Sequence, residues 1–128
     1  MKIGSDEVKL YENLYKEDKI NVFKGDRFSL IDGKYKNSRG WSADGTYQFI
    51  IKADGGFVLG QGGHIDLARG ENVQYAGEVR FKKGKLIEWS NRSGHYEPDS
   101  SDASKFIETL RKNGLKDVNM DNFKPIKQ

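Results

Sequence analysis

Two histidines and one glutamate are the residues of this sequence best suited to proton transfer. His64 and His95 are the only imidazoles in the chain, each directly follows a glycine, and Glu78 lies between them. Imidazole takes or gives a proton near neutral pH, and a positioned carboxylate can do either as well. Such a trio suits metal-independent RNA cleavage, in which one group accepts the 2′-hydroxyl proton and another protonates the leaving oxygen. We therefore take His64, Glu78 and His95 as the candidate catalytic residues.

Cationic side chains near this trio can stabilise the charged phosphorane through which RNA cleavage passes. We assign this substrate-binding role to Arg80, Lys85 and Arg92, with Tyr96 as an aromatic contact. The sequence has no phosphate-binding P-loop, zinc-deaminase pattern, His-Glu-x-x-His pair or Gly-x-Ser-x-Gly elbow. Two histidines and no cysteine also argue against a transition-metal site. We therefore expect neither a metal ion nor a cofactor.

A structural interpretation of the same residues stays open. In the stretch "SGHYEP", the His95 ring can donate to a backbone carbonyl and lock the turn into the next helix, with Pro98 setting the helix approach. The same alternative applies to His64. Trp41 and Trp89 are expected in the core rather than as stacking platforms for bases. Lysines at a hairpin tip are usually just solvated.

A predicted hairpin carries Glu78. "YAGEVRF" and "LIEWS" flank a short glycine-containing loop, and a three-residue loop places Val79 opposite Trp89 and Glu78 opposite Ser90. It also places Phe81 opposite Ile87. A two-residue loop would pair Val79 with Glu88, so we favour the longer loop.

The segments that flank this hairpin are expected to bring the trio together. His95 follows the second strand directly, and Glu78 lies near the start of the first. If the "GGH" loop folds over the same end, His64 joins them.

The remaining patterns predict the rest of the fold. "TYQFIIK" and "FVLG" around Asp54-Gly55 predict another hairpin, and residues 61–74 predict a loop with at most one helical turn. Residues 98–114 predict a helix that ends at a left-handed Gly114 and buries Ala103, Phe106, Ile107 and Leu110. Ser5 can cap an N-terminal helix whose apolar face is Val8, Tyr11, Leu14 and Tyr15. A short strand is expected within residues 115–120, followed by a frayed tail.

Together these elements predict an α+β fold: a mainly antiparallel sheet with two hairpins, on which an N-terminal and a C-terminal helix pack. At 128 residues, with no repeat or linker, the chain fits one domain. The net charge of +3 is compatible with RNA or another anionic partner. No apolar run approaches a membrane span and the N-terminus lacks a secretory core. We expect a soluble monomer without a signal peptide and without a membrane partner.

Most of the sequence also resembles a known module. The pattern runs from "GTYQFIIKADGGFVLGQGGHIDLARG" through "YAGEVRFKKGK" and "SGHYEP" to "FIETLRKNGL", strongest over about residues 45–115. Its positions are Gly55, Gly60, His64, Leu67, Ala68, Gly70, Ala76, Gly77, Glu78, Gly84, Asn91, Ser93, Gly94, His95, Tyr96, Pro98, Phe106 and Leu110. It is similar to the SGHYxP-bearing C-terminal module of bacterial polymorphic toxins of the Rhs and contact-dependent type, which is also found in plant IQ-motif calmodulin-binding proteins.

This resemblance implies a toxin-like effector domain that acts in interbacterial competition. Such a domain is delivered by a larger carrier into the target-cell cytoplasm and is neutralised by a cognate immunity protein. The motif includes His64, Glu78 and His95, which fits both a catalytic site and a shared structural turn.

Three functions therefore remain open. The first is a cytotoxic, metal-independent ribonuclease that uses His64, Glu78 and His95. The second is transfer of ADP-ribose from NAD, a looser fit to His64, Tyr96 and Glu78. The third is a non-enzymatic binding module in which "SGHYEP" is a structural turn.

Overall fold

The main feature of the protein is a five-stranded sheet. The computed structural model describes residues 9–21 and 26–128. The strands of this sheet are β3 (Gly45–Lys52), β4 (Phe57–Gly60), β5 (Val73–Lys82), β6 (Lys85–Ser90) and β7 (Phe123–Lys124). They lie in the order β4-β3-β5-β6-β7, and all pairings are antiparallel except the last, in which β7 runs parallel to β6. A separate two-stranded sheet pairs β1 (Ser29–Ile31) with β2 (Lys34–Lys36).

Helices are few and short. They are α1 (His64–Ala68), a 3₁₀ helix (Ser100–Phe106) and α2 (Ile107–Lys112), which continues the 3₁₀ helix. Strand makes up 34% of the structure and helix only 16%, so the predicted α+β class with a helix at each end is wrong and the fold is mainly β. Within residues 9–21 and 26–128, no helix has both the length and the hydropathy of a membrane span.

The predicted N-terminal helix is absent from the described residues. Its cap Ser5 and its first apolar residue Val8 lie outside them. Residues 9–21 form an irregular strap, in which the Tyr11 backbone exchanges hydrogen bonds with Val73 of β5 at 2.7 and 2.9 Å. This segment is not helical because β5 supplies hydrogen-bond partners to its backbone, and these take the place of the internal hydrogen bonds of a helix. Leu14, predicted to be buried, is 55% exposed.

The sheet has one fully covered face. Along β3, β5 and β6, alternate side chains point to the same side of a sheet. Phe49, Val79 and Trp89 lie on this face and are 0% exposed. The 3₁₀ helix and α2 cover them with Ala103 and Leu110, both also 0% exposed. The burial of Trp89 confirms the prediction made for it.

The predicted hairpin β5–β6 forms with an adjustment. The outer register is confirmed, with Val79 opposite Trp89 and Glu78 opposite Ser90. The loop prediction is wrong: Lys82 pairs with Lys85 around the two-residue turn Lys83-Gly84, whose φ angles are 50° and 84°. Two successive positive φ angles are typical of a type I′ turn, whose twist matches that of the flanking strands. A bulge beside Phe81, now opposite Leu86, absorbs the extra residue.

The C-terminal tail packs instead of fraying. No strand forms within residues 115–120; Leu115 and Val118 are buried in a loop, and the last strand is β7. The buried Asn91 side chain donates to the Ile126 carbonyl at 2.9 Å and accepts from its N–H at 2.8 Å. This pairing of one amide with both backbone groups fixes the tail beside the end of β6.

Candidate functional site

The second face of the sheet is divided into two halves. The closed half carries Ile50 of β3 and Ala76 of β5, both 0% exposed beneath α1 and the Tyr96 ring. The open half starts one residue pair further along the same strands, where Gln48 lies opposite Glu78 and Thr46 lies opposite Arg80. No helix covers these positions among the described residues.

The open half contains a polar cleft of about 180 Å³. Its walls come from four strands and from Arg92, the second residue after β6: the strand residues are Thr46, Glu78, Arg80, Glu88, Ser90 and Lys124. The register explains the grouping, because Ser90 lies opposite Glu78 on one side and beside Lys124 on the other. The Ser90 hydroxyl also accepts the Arg92 N–H at 3.2 Å, which turns the chain as it leaves β6.

Glu78 is the acidic centre of the polar cleft. Its carboxylate lies 3.6 Å from the Arg92 guanidinium, and the neighbouring Arg80 lies 3.6 Å from Glu88. Partial burial raises the pKa of Glu78, the charge of Arg92 lowers it, and that of Glu88 raises it, for a net increase. A carboxyl that holds its proton more tightly is a stronger base once ionised, which is the adjustment a general base needs.

The open half also holds an unsatisfied acceptor. The side-chain Oε1 of Gln48 is buried and has no hydrogen-bond partner among the described residues. Gln48 is the cross-strand neighbour of Glu78 on the same face. This oxygen is buried and Gln48 is not a wall of the polar cleft, so a ligand in the cleft does not reach it.

His64 is sealed in the closed half. It begins α1, its side chain is 5% exposed, and its Nε2–H donates to the Gly77 carbonyl at 2.7 Å. Burial lowers the pKa of His64 to about 4, outweighing the hydrogen bond that favours the proton. The ring is therefore neutral at pH 7, and it anchors α1 to β5 at the residue before Glu78. This placement favours the structural interpretation of His64.

His95 is accessible but faces a different partner. Its Nε2 lies 2.9 Å from Asp18 Oδ2, and its side chain keeps 29% of its surface exposed. The Tyr15 ring packs edge-on at 5.5 Å, and the Leu14 N–H donates to the His95 carbonyl. The strap thus holds and orients this imidazole. His95 does not line the polar cleft, although Arg92, three residues earlier, does.

The rest of "SGHYEP" forms a closed turn. Ser93 Oγ accepts the Tyr96 N–H at 3.3 Å, and its carbonyl accepts the Glu97 N–H at 2.7 Å. Tyr96 is 2% exposed, and its hydroxyl donates to the Glu71 carbonyl at 2.7 Å. The Asn91 side chain donates to the Pro98 carbonyl at 2.8 Å. Tyr96 thus packs against the closed half and leaves no free ring face for a substrate.

The structure brings together only part of the predicted site. Glu78, Arg80 and Arg92 line the polar cleft, whereas Lys85 lies at the opposite end of β6. Thr46 and Lys124 were not predicted, because no local pattern shows that β3 lies beside β5 or that β7 adds in parallel beside β6. Within the described residues, no cluster of three or more metal-ligating side chains is present. Comparisons of the chain with protein families, curated proteins and solved structures found no match.

Proposed function

We propose that this chain is a cytotoxic effector domain, of the polymorphic-toxin type indicated by its motif, that cleaves RNA without a metal ion. One observation carries the reaction class: a half-buried carboxylate with a raised pKa, Glu78, lies in a polar cleft among cations. Phosphodiester cleavage needs a base next to positive charge, and the cleft offers both on a rigid sheet.

In the proposed reaction, Glu78 accepts the 2′-hydroxyl proton and the 2′-oxygen attacks the adjacent phosphorus. The phosphorane's negative charge is stabilised by Arg80, Arg92 and Lys124, which line the cleft. The bond to the 5′-oxygen then breaks, giving a 2′,3′-cyclic phosphate and a 5′-hydroxyl. We assign protonation of that leaving oxygen to His95, the accessible imidazole held by Asp18 outside the cleft, three residues beyond Arg92. The assignment requires the segment from Arg92 to His95 to bring the imidazole to the leaving oxygen when RNA binds.

The decisive experiment is cleavage of total cellular RNA in EDTA by purified wild-type protein and by Glu78→Gln. Loss of one positioned base lowers the rate by about 10²–10⁴-fold. Glu108→Gln is the matched control, because Glu108 forms a similar 3.7 Å ion pair with Arg111 on α2. Absence of cleavage by the wild type, or equal rates for wild type and Glu78→Gln, would contradict the proposal.

A second variant tests the proton donor separately. His95→Gln keeps a polar side chain of similar length but cannot carry the imidazole proton. We expect a loss comparable to that of Glu78→Gln, with the same melting temperature as a check on folding. Full activity in His95→Gln combined with inactivity in Glu78→Gln would keep the base and reject His95 as the acid.

A non-enzymatic binding module is the second candidate function. It is favoured by the "SGHYEP" turn, in which Ser93 and Tyr96 bond to backbone groups. It predicts that production of the chain inside a bacterium is harmless and that His95→Ala lowers only thermal stability. Rapid growth arrest by the wild type but not by Glu78→Gln would favour the enzymatic function over the binding module. The NAD-dependent alternative gains nothing, since His64 and Tyr96, on which it drew, are both buried.

A further inference from the structure

The most exposed large apolar side chain among the described residues is a tryptophan. Trp41 is 64% exposed, which makes the prediction of a core position wrong. Its backbone is fixed, because its N–H donates to the Asn37 side chain and its carbonyl accepts the Asn37 N–H. The Arg39 guanidinium lies 5.7 Å from the centre of the indole ring, in the range of a cation–π contact. The ring is therefore held in place at the surface.

The turn of β5–β6 joins this tryptophan's segment at one end of the molecule. Gly84 donates its N–H to the Ala43 carbonyl and accepts the Tyr35 N–H, both at 2.7 Å. A Cβ on Gly84 would lie 3.0 Å from the Lys34 Cβ, which shows how close the two chains run. The turn at residues 83–84 and the segment from β2 to Ala43 thus form one rigid end.

Positive charge is concentrated at this end. The cations of residues 32–44 and 82–85 are Lys34, Lys36, Arg39, Lys82, Lys83 and Lys85. None of them forms an ion pair with a carboxylate of the described residues. The carboxylates in the same two segments are Asp32 and Asp44, and Asp44 accepts the Lys83 N–H at 3.0 Å. We call this cationic end, with its exposed indole, the Trp41 platform.

The Trp41 platform is connected to the polar cleft by one strand. Glu78, Arg80 and Lys82 alternate along β5, so their side chains share a face. A strand rises about 3.4 Å per residue, so Glu78 and Lys82 lie about 14 Å apart along it. Arg80 continues the positive charge between them. A short single-stranded oligonucleotide is long enough to reach from the cleft to the platform.

We propose that the Trp41 platform is a binding subsite for single-stranded RNA, in which one unpaired base stacks on the indole of Trp41. The inference rests on the proposed function in taking RNA as the ligand. A base stacks on an aromatic ring in a sequence-tolerant way, and Arg39 and the flanking lysines neutralise the adjacent phosphates. A duplex does not offer a free base face, so the platform selects single strands.

Binding is measured with a fluorescent 2′-O-methyl RNA 8-mer, which cannot be cleaved by attack of the 2′-oxygen. Trp41→Ala is expected to weaken the affinity about 10- to 100-fold, the range found when a stacking aromatic is removed. Met120→Ala is the matched control, because Met120 is an exposed apolar residue outside the platform, and it should leave the affinity unchanged. Lys34→Ala should flatten the salt dependence of binding, whereas Lys112→Ala on α2 should not.

The outcomes separate this inference from the proposed function. Tight binding that depends on Trp41, without cleavage of natural RNA, would keep the platform and reject the ribonuclease. Cleavage that needs Glu78 but binding unaffected by Trp41→Ala would reject the platform alone. Equal loss of affinity for RNA and for polyglutamate in Trp41→Ala would also overturn it and point to an acidic protein partner. Equal affinity for single-stranded and duplex RNA would contradict the proposal that an unpaired base stacks on Trp41.

Discussion

The two halves of one sheet face follow different rules although they share the same strands. In the closed half, Ile50 and Ala76 are fully buried, and the polar groups above them, His64 and the Tyr96 hydroxyl, bond to backbone carbonyls. In the open half, one residue pair away, Glu78 and Arg80 form partly exposed ion pairs with Arg92 and Glu88. Polar groups bonded inside the structure rigidify it, whereas charged groups gathered in an open cleft are available to a ligand.

The residues of the motif have different roles in the two halves. Several of its residues build the closed half and set the position of β5: Leu67, Ala68, Ala76 and Tyr96 pack there, and His64 bonds to Gly77. Glu78 alone among the candidate catalytic residues lines the open half. Of the two histidines in the chain, His64 anchors α1 to β5, so the small number of histidines does not by itself indicate an acid–base site. The packed closed half holds the β5 backbone rigid at Gly77, the residue directly before Glu78.

The largest expected effect is on Gly77, at the border of the two halves. A Cβ at this position would lie 1.8 Å from the Ser90 carbonyl oxygen and 2.9 Å from the Phe49 ring. Neither backbone nor packed ring can yield, so Gly77→Ala should lower the free energy of unfolding by about 4 kcal/mol or more. Urea denaturation measures this. Gly94→Ala is the control, because a Cβ at Gly94 meets nothing within 4 Å, and it should change stability by less than about 0.5 kcal/mol.

The pH dependence of stability tests whether His64 is an anchor. Burial lowers its pKa to about 4 in the native state, against the ordinary value of 6.5 for histidine. The unfolded chain thus binds the proton more readily, so stability is complete above pH 6.5 and falls as the pH drops from 6.5 to 4. The loss is about 3 kcal/mol by linkage. Denaturation of wild type and His64→Gln across this window checks it; an equal loss in His64→Gln would show that another group is responsible.

Local patterns predicted the strands of the two main hairpins, but not the length of the β5–β6 turn or how distant segments meet. The alternation around Glu78 and Ser90 was enough for the outer register of β5–β6, because cross-strand pairs report on neighbours. The N-terminal apolar residues failed as a helix because Tyr11 pairs with Val73, a partner sixty-two residues away. Lys124 lines the polar cleft because β7 pairs in parallel with β6, and no pattern in the local sequence predicts that pairing. Exposure of Trp41 depended on how β2 meets the Gly84 turn, which is equally non-local.

A smaller effect is expected from the Tyr96 hydroxyl in the closed half. It donates to the Glu71 carbonyl at 2.7 Å, and Tyr96→Phe keeps the ring while removing the donor. The loss should be about 1 kcal/mol in the free energy of unfolding, with RNA cleavage unchanged. Thermal denaturation and the cleavage assay are run on the same preparation. Loss of cleavage without loss of stability would move Tyr96 from the structural turn to the substrate.

The smallest expected effect, on the pH profile of cleavage, separates the open half most sharply from the closed half. The charge of Arg92 lowers the pKa of Glu78, and that of Glu88 raises it. Cleavage needs ionised Glu78, so the acid limb of kcat/KM should move to higher pH in Arg92→Ala and to lower pH in Glu88→Gln. Both displacements are small because water screens these half-exposed groups. Shifts in the same direction would mean that the limb belongs to another group. Opposite shifts would identify Glu78 as the base, because only its carboxyl lies between these two charges, and a structural ion pair would leave the profile unmoved.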